Sequence, residues 1–426
     1  MRAEGWLRLY CNAACIGLSV RNRLDIIMKE SALLNCIDRL SALAFGLALI
    51  IEILCVIIDK SSVTNAYQSR MFLIAFALCA VRCLWCFLQG CYSRKELLLI
   101  AAAGVIAVIG WRVTGNNDLI RFLAFFCALR TVDVRRAAKV TLWLTLAGCL
   151  VLGVLSAFGV LGTLTLTTDY GNGVETRWTL GLGHPNSLYC MALMLMLLGM
   201  YLYDRYLKLY LYAVLLLGNV ILYFMTDSDM AFLIGSAAIL LSIAMHYGGR
   251  WANGWLVYGG GAALFTLGLV FSVFAAVSDP RKNMQLLKWD ITLLTGRITS
   301  LWETIYHEGT LATWKWFGSR FNTYYFDLGW VRVVYWYGVI PALIFIAIVF
   351  LLIWYFHKTG NRAAFVMLIA MVLYTVMEAH LVSEFIGRNY LLFLAARYLP
   401  EIVNGTEQEK SAGDGTTVAR KKSTGI

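Results

Sequence analysis

The stretch Arg177-Trp178-Thr179-Leu180-Gly181-Leu182-Gly183-His184-Pro185-Asn186, followed by the run from Ser187 to Tyr203, decides how this chain is read. The run carries no Asp, Glu, Lys or Arg and is almost long enough to cross a bilayer, which takes about 20 apolar residues. In front of it stand a cationic arginine, a titratable histidine, an asparagine amide and two flexible glycines. A polar cluster pressed against an apolar run puts these groups where membrane meets water. Chemistry on the water-soluble headgroup of a lipid-anchored ligand has to happen there.

Working outward, similar runs recur along all 426 residues, of which 60% are hydrophobic and 14% charged, with a mean hydropathy of +0.70. A soluble domain of that balance would expose large apolar patches and aggregate. The runs are continuous where an outer-membrane barrel would alternate apolar with polar. The expected fold is therefore all-α, a polytopic integral membrane protein of about 12 transmembrane helices. The expected spans are 40–58, 71–90, 97–111, 118–129, 138–161, 187–203, 207–225, 230–247, 255–278, 331–356, 363–377 and 381–399. The fourth is short and carries Arg121, which suits a re-entrant or interfacial segment. A cytoplasmic N-terminal segment, 1–39, precedes this transmembrane catalytic domain (40–399), and a polar cytoplasmic tail, 400–426, follows it. One long external loop, 279–330, separates helices 9 and 10.

The net charge of +11 is spread over short loops and both termini, so it reads as a determinant of orientation and not as a nucleic-acid patch. With the N-terminus inside, inner segments hold 19 Lys and Arg against 10 outside, six of those in the one long loop. Both termini are then cytoplasmic, and the 177–186 cluster and the long loop face outward. The run Arg420-Lys421-Lys422 reads as a topology determinant or a contact with membrane lipid. Six Lys and Arg before residue 40 flank only a weak apolar stretch, so no cleavable signal peptide is expected. Met28 is an alternative start, and the first span would serve as an uncleaved anchor. All eleven cysteines lie between Cys11 and Cys190, mostly in apolar segments, and read as small buried hydrophobes. Cys83-Leu84-Trp85-Cys86 lacks a second pair, so no metal site and no cofactor are expected.

Several residues are candidates for chemistry. His184-Pro185-Asn186 suits the first turn of a helix, proline at its first position and a polar cap before it. The same geometry, with Arg177 nearby, suits binding of phosphate or sugar oxygens, and His184 suits proton transfer near neutrality. In the outer loop, Thr295-Gly296-Arg297 and Gly318-Ser319-Arg320 read either as loop charge or as phosphate-binding guanidinium groups. Leu294, Ile298, Leu301 and Ile305 recur as one stripe of a helix with Thr295 as its N-cap, lying on the membrane face with Trp302, Trp314 and Trp316 as anchors. Asp327 is a candidate base or acceptor-binding carboxylate. Thr226-Asp227-Ser228-Asp229 reads as a polar turn, or as carboxylates that bind a cation or sugar hydroxyls. Arg82 lies near the middle of the second span. Glu378, His380, Glu384 and Arg388 cluster near the outer surface, pairing with one another or lining the cavity of the outer loop.

Leu180-Gly181-Leu182-Gly183-His184-Pro185-Asn186 opening a span resembles the GxxHPN signature of Wzy-type polysaccharide polymerases, in the O-antigen polymerase/ligase superfamily. Leu294-Thr295-Gly296-Arg297-Ile298-Thr299-Ser300-Leu301-Trp302 is similar to that family's SGR…W element. Phe326-Asp327-Leu328-Gly329-Trp330-Val331-Arg332, with Tyr337-Gly338-Val339-Ile340, looks like its DNxYLRLL…YGII stretch. The matches run in family order from residue 177 to 340, while the first 160 residues match in hydropathy only. Ser228-Asp229 stands where relatives often carry Ser-Arg, and Asp327-Leu328 stands for their Asp-Asn.

The resemblance implies a bacterial cytoplasmic-membrane enzyme that polymerises undecaprenyl-diphosphate-linked oligosaccharide repeat units on the outer face. The non-reducing hydroxyl of one unit would attack the anomeric carbon of a growing chain and displace polyprenyl diphosphate. His184, Arg297 and Asp327 would be catalytic, and Arg177, Asn186 and Arg320 would bind substrate. A flippase and a chain-length regulator are the partners it implies. The related ligase, which moves a finished glycan to another acceptor, shares fold and donor. Its branch tends to carry a histidine near the end of the long loop that this chain lacks. A lipid-linked oligosaccharide flippase is the alternative from a different class, but its usual internal repeat is not evident here.

Overall fold

In hydrocarbon a backbone can satisfy its polar groups only within its own segment or in a closed barrel, so each long apolar run becomes a helix. The computed structural model describes residues 33–61, 63, 66–169, 173–379 and 381–405. The basic segment before residue 33, Met28, His380 and Arg420-Lys421-Lys422 lie outside the described residues. Among those described, nine helices are long and apolar enough to cross a membrane. They are α1 (Leu33–Lys60), α2 (Gln68–Leu88), α3 (Arg94–Thr114), α5 (Val134–Ala157), α6 (Pro185–Tyr203), α7 (Leu209–Thr226), α8 (Asp229–Tyr247), α9 (Trp255–Val277) and α13 (Val339–Thr359). The chain is a predominantly helical, multi-pass membrane protein.

The remaining helices are shorter. The helix α4 (Asp118–Ala128) has 11 residues, about 16 Å at 1.5 Å per residue against about 30 Å of hydrocarbon. Next in the chain come α10 (Met284–Leu294), α11 (Arg297–Glu303), α12 (Gly329–Tyr337), α14 (Arg362–Met377) and α15 (Leu391–Asn404). The expected tenth span, 331–356, is not continuous. It breaks between α12 and α13 at Gly338, whose φ is +98°, and a Cβ there would lie 2.4 Å from the Phe317 Cα. The segment between α11 and α12 packs directly onto that break. The expected last span, 381–399, begins instead as irregular chain with one 3-10 turn, Ile386–Arg388, before α15. Such backbone is tolerated at membrane depth only where protein buries it. Here Arg121 donates to the Glu384 carbonyl at 3.0 Å, and the Asn389 amide donates to the Leu381 carbonyl.

A short hairpin interrupts the helical pattern between α5 and α6. Its strands, β1 (Thr165–Asp169) and β2 (Val174–Trp178), pair antiparallel with Leu166 opposite Arg177. The alternating Thr163-Leu164-Thr165-Leu166-Thr167 is the period-two signal that announces it. At the centre of the bundle, α14 is buried on nearly every face and packs against α6, α8, α9 and α13. A helix that is apolar all round belongs in such a core.

Cross-helix bonds define two ends. At one end Arg82 reaches Asp38 at 2.8 Å and Ser93 reaches Asn404 at 2.6 Å. There too Arg135 meets the Leu202 carbonyl at 3.0 Å, and Arg362 meets the Met245 carbonyl at 2.6 Å. The opposite end, the mouth, gathers the end of α1, the hairpin, the start of α6, the α7–α8 turn, α11 and the end of α14.

Candidate functional site

The mouth is built first by the start of α6. His184 caps the helix, and Pro185 occupies its first position, where the missing N–H is of no consequence. The His184 Nδ1 accepts the Asn186 backbone N–H at 3.2 Å. A neutral ring with an accepting Nδ1 carries its proton on Nε2, so that nitrogen is a donor. The Asn186 side-chain oxygen accepts from the Ser228 hydroxyl at 2.7 Å, tying α6 to the start of α8. The turn before His184 lies flat on α5. Gly181 has φ +78°, and a Cβ there would sit 2.8 Å from the Leu152 carbonyl oxygen. Burial lowers the His184 pKa, Asp327 opposes that shift, and the charges of Arg177 and Lys60 add to it.

Arg177 projects from β2 and joins two elements. Its Nη2 lies 2.7 Å from Glu175 and 2.6 Å from Asp227. Asp227 is the left-handed residue ending α7, with φ +52°. The Thr226–Asp229 stretch is thus a helix-ending turn whose first carboxylate pairs with Arg177.

Arg297 is held by a corner that differs from the expected single amphipathic helix. Thr295, expected as an N-cap, is the left-handed C-cap of α10, and Gly296 precedes α11. The cause is Asp290, fully buried. Its carboxylate accepts the Ile298 N–H at 3.0 Å, the Thr299 N–H at 2.7 Å and the Thr299 hydroxyl at 2.7 Å. Ile298 and Leu301 are buried as the stripe demands, but Ile305 is 90% exposed beyond the end of α11. Of the three tryptophans expected as anchors, Trp302 and Trp314 pack against the core and Trp316 is exposed.

From the first turn of α11, Arg297 pairs with Glu378, just past the end of α14, and lies 3.6 Å from Asp327. Burial raises the Glu378 pKa to about 7, with Arg297 opposing and Asp327 reinforcing the shift. The charge of Arg388 also bears on Glu378.

Arg177, His184, Asn186, Arg297 and Asp327 therefore share one end of the bundle. Arg320 stands apart from their bonds. It donates to the Arg112 carbonyl at 3.2 Å, at the close of α3. Lys60, which the sequence did not single out, belongs to the mouth, and so do Glu378 and Arg388 of the late charged cluster, whose charges bear on one another. A charge placed directly after an apolar helix, as Glu378 is, was the available signal. Asp290 had none, because its role exists only once α10 and α11 turn the corner.

Two other polar regions lie away from the mouth. Within the bundle, Arg121 pairs with Glu52 at 3.1 Å and Asp118 at 3.5 Å, and Tyr337 bonds Asp118 at 3.2 Å. At the far end, a cavity of about 1150 Å³ is lined by Glu96, Arg130, Arg135, Arg397 and Glu401. Arg130 is 2.9 Å from Glu96, and Arg397 pairs with Glu401, so the cavity's acids and bases largely satisfy each other. Among the described residues, no three His, Cys, Asp or Glu gather as metal ligands. Comparison with family models, curated proteins and solved structures finds no match.

Proposed function

We propose that the protein polymerises oligosaccharide repeat units carried on undecaprenyl diphosphate, as a Wzy-type enzyme of the bacterial cytoplasmic membrane. The observation that carries this reading is the convergence of Arg177, His184, Arg297 and Asp327 on one mouth, with 150 residues separating the first from the last. In this reading the mouth faces outward and both termini are cytoplasmic. The short helices α4, α14 and α15 then complete twelve crossings with the nine long ones.

The reaction follows from what each group can do. The acceptor hydroxyl oxygen bonds to the anomeric carbon, and the carbon–oxygen bond to the diphosphate breaks. The electron pair leaves with the diphosphate, and the hydroxyl proton passes to a carboxylate. Asp327, 41% exposed at its side chain, is the base in reach of an acceptor. The His184 Nε2–H and Arg177 donate to the oxygens that gain charge. Arg297 stabilises the departing diphosphate, which competes with Glu378 for the guanidinium. Protonation of Glu378 near neutrality releases Arg297 for that task. A flippase that delivers the substrate and a chain-length regulator are the proposed partners.

The test is purified protein with its lipid-linked repeat unit, without nucleotide sugar or added metal, read as a glycan ladder. Wild type should build the ladder and Arg297→Ala should not. Intact substrate and folded protein without a ladder would refute polymerisation, and the ligase and flippase readings would then be tested by acceptor transfer and transbilayer movement.

A further inference from the structure

An arginine withdrawn from water is costly unless a carboxylate answers it. Arg82 has Asp38 at 2.8 Å, Arg121 has Glu52 at 3.1 Å, and Arg297 has Glu378. Arg332, on α12, breaks the pattern. It is 3% exposed, and among the described residues its Nε and Nη1 have no hydrogen-bond partner and no carboxylate is paired with it.

Aromatic rings hold this guanidinium in place. Tyr325 lies over it at 3.6 Å and Trp336 at 3.7 Å. Stacking of this kind stabilises the cation and fixes its plane, and although the Tyr325 side chain also enters as a hydrogen-bond partner, the in-plane Nε and Nη1 donors stay unused. An in-plane fork of N–H donors is what a phosphate oxyanion takes in bidentate fashion. The cover is also accessible from outside. Tyr325 is 59% exposed and lies two residues before Asp327, so one short stretch of chain both covers Arg332 and supplies the carboxylate facing Arg297. The positive charge of Arg388 acts on Arg332 and on Glu378 alike, which puts all three in one electrostatic neighbourhood.

We propose that Arg332 is a diphosphate-binding residue, left without a carboxylate by the protein so that an anion entering beside Tyr325 takes its two unused donors. The inference rests on the reading of the mouth as a diphosphate-handling site, and it adds a contact that sequence analysis did not assign. The shared chemistry is a diphosphate oxyanion, borne on a lipid or free in solution.

The experiment uses full-length protein in nanodiscs, titrated with farnesyl diphosphate in one arm and inorganic pyrophosphate in the other, together with a thermal melt. Arg332→Met should lower farnesyl diphosphate affinity about tenfold or more, while melting unchanged or higher, because a buried unanswered charge is gone. Arg332→Lys, which keeps the charge and loses the fork, should fall between. Tighter binding of farnesyl diphosphate than of pyrophosphate assigns the lipid-borne source, and equal binding assigns the free anion. Arg332→Met that binds like wild type overturns the inference and leaves the polymerase reading standing. Unfolding of both variants marks Arg332 as structural and also overturns it. Wild type that binds neither probe overturns the inference and the reading together.

Discussion

Two arginine clusters in this protein use the same residue types, one sealed from water and the other open to it. In the bundle, Arg121 faces two carboxylates, and all three are buried, with Glu52 at 1%, Asp118 at 3% and Arg121 at 4% exposure. Phe72 closes over the guanidinium at 3.6 Å. At the mouth, Arg177 pairs with Glu175 and Asp227 and Arg297 with Glu378 and Asp327, but Asp227 and Asp327 keep contact with water. A sealed network with every cation answered ties helices together. An open one, whose carboxylates still reach water, has room for an anionic ligand.

The largest effect should come from breaking the sealed cluster. Arg121→Met leaves Glu52 and Asp118 buried without their cation and should destabilise the protein by about 3–5 kcal/mol, read as a fall in thermal midpoint. The same change at Arg332 should not destabilise, so the pair of melts sets the two clusters apart directly.

Next is Arg297→Ala, which should reduce chain elongation by about 100-fold or more with only a small shift in melting. Elongation within threefold of wild type would remove Arg297 from the chemistry.

Asp290→Asn follows. The amide retains shape but loses the charge that draws three donors together, so the corner loosens by about 1.5–3 kcal/mol. Elongation should drop through misplacement of Arg297, and a rescue of elongation on cooling would separate positioning from loss of fold.

The smallest effect concerns pH. Glu378 titrates in the folded protein at about 7, above its ordinary value of 4.5. Its neutral form therefore favours the fold. That contribution is whole below pH 4.5 and is lost as pH rises through about 7, an effect on the order of 1 kcal/mol after solvent screening. Glu378→Gln should flatten melting temperature across that window, and an unchanged slope would contradict the assignment.

The membrane class and most helices were legible because a long apolar run has one way to satisfy its backbone. The start of α6 was legible too, since Pro185 after a polar cap marks a first turn. The break at Gly338 was hidden, for glycine there sits between two runs equally apolar. The hairpin was overlooked because its alternation spans only a few residues inside a polar loop. The charge bias set Arg177, His184, Arg297 and Asp327 on one face, and their meeting at one site was an expectation that the resemblance added. Asp290 and Arg332 were not legible at all: a charge reads the same in sequence whether it is answered or left unanswered.

The most direct measurement counts undecaprenyl diphosphate released per glycosidic bond formed by the purified protein. The account predicts one released for each linkage, with both lost together in Arg297→Ala. Linkages formed without release, or substrate moved across the bilayer with neither, would contradict it.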